Sequence, residues 1–226
     1  VVGSLRRSRF KRAIALPHSF RSALLFFFAG VQERIGYARN SRGALLTRRV
    51  EESPPPEPTV EHYLKIIDTL GESRLFPAPL LLVTEDEESG FDKKYTDIHK
   101  PYGVLVVGAE YGPSKCWPEA HFSKLADMII NRFDMKVYIL PGKGEEKTAR
   151  KVWDGAQRRD RLEIRDMGIR DLKVCLSRAS FCVSNDTGPR HIASALSVPT
   201  VVMVGPMDEL YTRYPSPTTR VLMNDV

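Results

Sequence analysis

Residues 181–204 read FCVSNDTGPRHIASALSVPTVVMV. An apolar run of strand length (181–184) ends in Asn185-Asp186-Thr187-Gly188. A helix is predicted over 188–196, and the β-branched run 200–204 is predicted as the next strand. Strand, turn, helix and strand in so short a span form the unit of a parallel sheet covered by helices. The same rhythm extends upstream. Strands are expected at 103–107, 136–140 and 162–164, with helices at 118–133, 145–158 and 169–177 between them. The strands are short continuous apolar runs, as strands buried on both faces must be. From residue 101 onward the chain is expected to be an α/β domain with a mainly parallel sheet.

Before residue 101 the pattern is less regular. A short buried strand is expected at 13–16 (AIAL), a helix at 19–29 and a second short strand at 34–37. The stretch EESPPPEP (51–58) carries four prolines, which exclude helix and central strand and favour extended polyproline geometry. This stretch is read as the domain boundary, with one domain at 1–58 and the other at 59–226. A helix follows at 59–70, with Tyr63, Ile66, Ile67 and Leu70 on one face, and residues 77–83 are expected to be extended. The opening residues 1–12 are basic and helix-like, with no initiator Met before them, and read as though the chain begins mid-domain.

In open α/β sheets ligands bind outside the carboxyl ends of the strands, so the loops there are where chemistry is sought. The loop at 185–188 leads directly into a helix that Asp186 or Thr187 can cap. A helix end of this kind favours phosphate, and Gly188 lets a ligand approach the backbone. His191 follows one turn later. The competing reading is a well-capped helix with a surface histidine. A second loop, GAEYGPSKCWP (108–118), has Gly108 at its start and Lys115, whose ammonium suits a diphosphate; alone, it also fits a solvated lysine beside a core tryptophan. The third, LPGKGEEK (140–147), lacks the spacing of a Walker phosphate loop. Its Glu145 and Glu146 suit either ligand hydroxyls or the positive end of the next helix. The fourth, GPMDE (205–209), is another turn at the same edge. No spacing supports a metal site.

The chain has 226 residues, 42% of them hydrophobic, with 34 Lys+Arg against 28 Asp+Glu. That excludes wholesale disorder. Residues 1–50 hold 11 of the basic residues and one acid, Glu33, for a net +10. The other 23 basic and 27 acidic residues give −4, and the two sum to +6. The basic front implies an anionic partner. It has no RNA-recognition or helix-turn-helix pattern, so nucleic acid is not expected. Cys116, Cys175 and Cys182 show no CxxC spacing, which favours a reducing compartment over a disulfide framework or zinc site. The apolar run 23–31 (ALLFFFAGV) is roughly half the ~20 residues needed to span a bilayer. A cytoplasmic protein is expected, with peripheral contact to an anionic inner-membrane surface through its basic front.

Taken together, ALPHSFRSALLFFFAGVQERIGYAR (15–39), GAEYGPSKCWPEAHFSKLA (108–126), GKGEE (142–146) and SNDTGPRHIASALSVPTVVMVGP (184–206) resemble the ADP-heptose:lipopolysaccharide heptosyltransferases, heptosyltransferase II in particular. The resemblance implies a GT-B architecture of two Rossmann-like domains with mainly parallel sheets, the N-terminal one incomplete here. It implies transfer of L-glycero-D-manno-heptose from ADP-heptose to the inner core of lipopolysaccharide, with inversion and without a metal or other cofactor. By the same resemblance Lys115 contacts donor phosphate, Glu146 or else Glu145 holds the ribose, and Asp186, Thr187, Gly188 and His191 line the diphosphate and heptose end, close to Gly108. Lys115 and Asp186 are the expected catalytic groups. The family's general base lies in a glycine-containing loop with no counterpart in this sequence, so a nucleotide-sugar or anionic-lipid-binding remnant without turnover is the alternative. A weaker one is an RNA-binding α/β protein.

Overall fold

The computed structural model describes residues 1–52, 57–71, 78–109, 116–205 and 216–223. The described residues up to Gly71 form one compact unit and those from Ala78 another.

The N-terminal unit is a small parallel sheet with helices. Helix α1 (Val2–Ser8) precedes strand β1 (Arg12–Ile14), helix α2 (Phe20–Phe28) and strand β2 (Glu33–Tyr37). A single 3₁₀ turn at Gly43–Leu45 then leads to strand β3 (Arg48–Val50) and helix α3 (Thr59–Asp68). The three strands lie in the order β1-β2-β3, all parallel. Ser19 starts α2 in an extended conformation, and its hydroxyl accepts the Ser22 N–H at 3.2 Å, which satisfies one of the orphan donors of a helix start. The core holds Ile35, Tyr37, Val50 and Ile66. Ile66 belongs to α3, so the helix expected to open the second domain packs into the first. The division between the units falls after α3 and not at residue 58, because the apolar stripe of α3 finds its partners on β2 and β3.

The C-terminal unit is the larger. Helix α4 (Glu85–Lys94) comes first, followed by β4 (Tyr102–Val106), α5 (Glu119–Phe133), β5 (Lys136–Ile139), α6 (Glu146–Gly155) and β6 (Leu162–Ile164). The second half runs α7 (Ile169–Arg178), β7 (Phe181–Asn185), α8 (Gly188–Ala195), β8 (Thr200–Val204) and β9 (Thr219–Met223). All six strands are parallel, in the order β6-β5-β4-β7-β8-β9. Numbered within the unit this is 3-2-1-4-5-6, the doubly wound order whose switch point lies between its first and fourth strands, here β4 and β7.

Alternate residues of the central strands β4, β5 and β7 enter two separate cores. Tyr102, Val104 and Val106 of β4 join Tyr138 and Cys182 under α4, α7 and α8, where Phe91, Val174 and Ala193 pack. Leu105 and Val107 join Val137, Ile139 and Val183 on the other face, under Phe122 and Ile130 of α5 and Val152 of α6. Burial on both faces is why these strands are continuously apolar. Residues 78–83 form no strand; Leu81 N–H instead donates to Ala195 O at 2.9 Å. No helix among the described residues is long and apolar enough to cross a membrane.

Candidate functional site

The carboxyl ends of β4 and β7 are joined by one buried side chain. Asn185, the last residue of β7, is fully buried. Its amide Nδ2 donates to Val107 O at 2.8 Å and to Gly108 O at 3.4 Å, and its Oδ1 accepts Trp117 N–H at 2.9 Å. Both edges of the β4 loop are thereby fixed to the strand that carries the Asp186-Thr187-Gly188 turn. A buried amide with its polar atoms satisfied rigidifies what it joins. Sequence reasoning placed Asn185 in the turn but gave it no role.

The acidic loop closes against the same edge. Glu145 Oε2 accepts the Gly142 N–H at 2.7 Å, and its carboxyl fills the space in front of Gly108 where a β-carbon would stand. Glu146, the first residue of α6, accepts the Gly144 N–H at 3.1 Å and is exposed. Hydrogen bonds from its own N–H and that of Gly144 hold its carboxyl below the usual range. The two glutamates thus divide: Glu145 braces the loop, and Glu146 faces outward.

Glu146 lines a cleft of about 520 Å³ whose other walls include Met167, Ile169, Leu172 and Ile192, with Gly188 and Pro189 of α8 at one side. An apolar floor with a few polar groups is the usual makeup of a small-molecule site. Thr187 is the N-cap of α8 in extended conformation, and Pro189 occupies its first turn. A β-carbon on Gly188 would meet nothing within 4 Å, so the helix start is open to a ligand.

Behind this open end lies a buried ion pair. Arg190 Nε donates to Asp186 Oδ1 at 2.6 Å, the two side chains being 5% and 7% exposed. Burial, and then the Arg190 charge, push the His191 imidazole down to about 4, with Asp186 opposing. His191 is therefore neutral at physiological pH. Arg190 was not among the residues expected from sequence, although its position four after Asp186 is a spacing that brings side chains together on a helix.

The expected site residues gather in part. Glu146 and Gly188 share one cleft; Glu145 and Gly108 touch each other beside it; Asp186, Thr187 and His191 surround the start of α8. Lys115 lies outside the described residues, as do residues 206–209 of the fourth loop. Cys116 has its thiol raised by burial and by Glu145, while Cys175 and Cys182 are buried and pushed up to about 11 and about 12. Cys175 and Cys182 are packing residues of the core. Among the described residues no group of three or more His, Cys, Asp or Glu could hold a metal ion.

Sequence reasoning also missed a cluster in the N-terminal unit. The His62 ring stacks on Tyr37 at 3.8 Å, its Nε2 lies 3.2 Å from His18 Nε2, and its Nδ1 lies 3.3 Å from Glu57 Oε2. Glu57 also pairs with Lys65. His18 and Tyr37 are far in sequence from the group Glu57, His62 and Lys65, and the fold of the N-terminal unit brings them together.

Comparison with known proteins follows the same outline. Residues 1–225 match the family described as glycosyltransferase family 9 (heptosyltransferase). The chain is 29% identical to Lipopolysaccharide heptosyltransferase 2 of Escherichia coli (strain K12), over 97% of this chain and 66% of that relative. It therefore spans just under two thirds of that protein's length. The solved E. coli ADP-heptose lps heptosyltransferase II aligns with a TM-score of 0.83 and 26% identity, over 98% of this chain and 70% of that one. E. coli heptosyltransferase WaaC, solved with ADP-2-deoxy-2-fluoro heptose, aligns with a TM-score of 0.67 and 20% identity, over 98% and 69%, and shares the fold. The α/β architecture with parallel sheets is that of these GT-B enzymes.

Proposed function

This chain belongs to glycosyltransferase family 9 (heptosyltransferase), and on that premise we propose that it transfers L-glycero-D-manno-heptose from ADP-heptose to the inner core of lipopolysaccharide, inverting the anomeric centre. The observation that carries this reading is the cleft that joins Glu146 to Gly188. Its apolar part, with Met167 and Ile192, suits an adenine ring. Glu146, exposed and ionised, suits the vicinal hydroxyls of a ribose. From there a diphosphate reaches the open start of α8, where Thr187 and Gly188 present backbone N–H groups and the helix dipole favours negative charge. Lys115 is assigned to the same phosphates. The complex of a protein of the same fold with ADP-2-deoxy-2-fluoro heptose supports a donor of this kind.

Inversion requires one displacement. An acceptor hydroxyl attacks the anomeric carbon as the bond to the diphosphate oxygen breaks; its proton passes to a general base, and ADP leaves with the bonding pair. Charge that develops on ADP is stabilised by Lys115 and the α8 terminus. The basic N-terminal unit, +10 over residues 1–50, suits a phosphorylated lipopolysaccharide core or the anionic inner-membrane surface that carries it, in keeping with a cytoplasmic protein in peripheral contact with that surface.

Calorimetry with ADP is the first test, and absence of binding ends the reading. Lys115→Ala is expected to weaken ADP by roughly tenfold while leaving adenosine unchanged. Incubation with ADP-heptose and heptose-deficient lipopolysaccharide then tests transfer. Binding without transfer supports a non-catalytic nucleotide-sugar binder instead.

A further inference from the structure

The Asp186 carboxylate poses an electrostatic problem for the site as assigned. It sits immediately before the N-cap of α8, where a carboxylate is itself favoured and competes with an incoming phosphate. Little of a ligand's charge can be met by this helix end alone. Pro189 has no N–H to offer, and the Arg190 N–H is taken up by Thr187 O at 3.2 Å. The other N–H groups at this end belong to Thr187 and Gly188. An uncompensated carboxylate a few ångströms from them, shielded from water, would repel a diphosphate strongly.

Arg190 answers that problem. We propose that Arg190 is a positioning residue of the nucleotide site, whose guanidinium neutralises and fixes the Asp186 carboxylate so that the start of α8 accepts a nucleoside diphosphate. The assignment rests on the reading of the cleft as a nucleotide site and adds to it a residue that acts through Asp186 and not on the reacting atoms. Three observations carry it. The Arg190–Asp186 contact is 2.6 Å, and both side chains are almost wholly buried, so the pair is little screened. The two residues lie one helical turn apart, which locks the carboxylate to the same short helix whose end receives the ligand. Lastly, the neighbouring imidazole of His191 stays neutral, so it adds no positive charge beside Asp186 and leaves that part to the paired guanidinium of Arg190.

The test separates charge from packing by using two ligands that share the adenosine part. Binding of ADP and of adenosine is measured by calorimetry for the full chain and its variants. For Arg190→Met, ADP affinity is expected to fall roughly tenfold or more while adenosine affinity stays within about threefold, because only the diphosphate meets the carboxylate charge that Arg190 balances. Adding Asp186→Asn to that variant removes the repulsion, and most of the ADP affinity returns. If Arg190→Met does not fold, Arg190→Gln keeps a hydrogen bond to Asp186 without the charge, and the same ADP-selective loss is expected. Arg190→Lys retains ADP binding. Equal losses for both ligands, or no recovery in the double variant, overturn the proposal by showing a packing role only. If the unmodified chain binds neither ligand, the nucleotide reading itself fails, and this inference with it.

Discussion

Gly108 and Glu145 occupy complementary space: a β-carbon on Gly108 would overlap the Glu145 carboxyl, which instead accepts the Gly142 N–H at 2.7 Å. The absent side chain after β4 is what lets the acidic loop before α6 close over the sheet edge. Gly108→Ala must push that carboxyl away and break its hydrogen bond, at an expected cost of about 1–3 kcal/mol in urea unfolding. ADP affinity should fall with it, as Glu146 moves with the loop. Gly188→Ala is the control, because its β-carbon meets nothing. Equal stability losses at the two glycines would show that the contact with Glu145 does not matter.

The two adjacent glutamates are expected to fail in different ways. Glu146→Gln removes an exposed charge from the cleft and should weaken ADP by roughly tenfold with only a small fall in Tm, since hydrogen bonds to a charged group contribute about 1.5–3 kcal/mol. Glu145→Gln alters a loop brace and should lower Tm, with a smaller effect on binding. The comparison needs only thermal melts and titrations on both variants. A reversed pattern would transfer the hydroxyl-binding role to Glu145.

Where the chain was readable, burial on both faces made it so. Strands β4, β5 and β7 are largely apolar because alternate side chains enter different cores, and a mostly apolar run is visible in one dimension. Strand β3 (RRV) was not readable, since two of its three residues are exposed arginines and only pairing with β2 makes it a strand. Helix α4 is polar but for the buried Phe91. Its capping box, Thr84 with Glu87, was the signal available. At the site, the DTG turn and the acidic pair were legible as residue types. The Asn185 bridge and the His18–His62 contact were not, because their partners come from elsewhere in the chain.

His191 should make stability depend on pH. Its imidazole is pushed down to about 4 by burial and by Arg190, from an ordinary 6.5. Between those values the unfolded chain holds a proton that the folded chain does not, so stability falls as pH drops from 6.5 to 4 and is flat above 6.5. After allowing for partial exposure, the loss attributable to this group is at most about 2 kcal/mol. Urea midpoints of the wild type and of His191→Gln are compared at pH 7.0 and pH 4.5. The difference between the two proteins should shift by that amount in favour of the variant at the lower pH. A difference independent of pH would mean that the histidine is equally protonated in both states.

The last prediction concerns the N-terminal unit, where one cation is buried alongside the hydrophobic core. Arg42 is fully buried. Its Nε donates to Tyr37 O at 2.7 Å, and its two terminal nitrogens reach Ser22 Oγ at 3.1 Å, Ala15 O at 3.4 Å and the Pro17 carbonyl. It thereby ties the ends of β1 and β2 to the start of α2, and burial lowers its pKa. A guanidinium fork can serve several carbonyls at once, whereas an ammonium cannot match that geometry. Arg42→Met would take this donor from the buried Tyr37 and Ala15 carbonyls and is expected to destabilise the unit by about 3 kcal/mol, with Arg42→Lys intermediate. Hydrogen exchange locates the effect: amides of β1 and β2 should exchange faster while those of β4, β5 and β7 keep their protection. Faster exchange in the second sheet as well would show that the two units unfold together. A loss below about 1 kcal/mol would mean that water replaces the guanidinium at little cost.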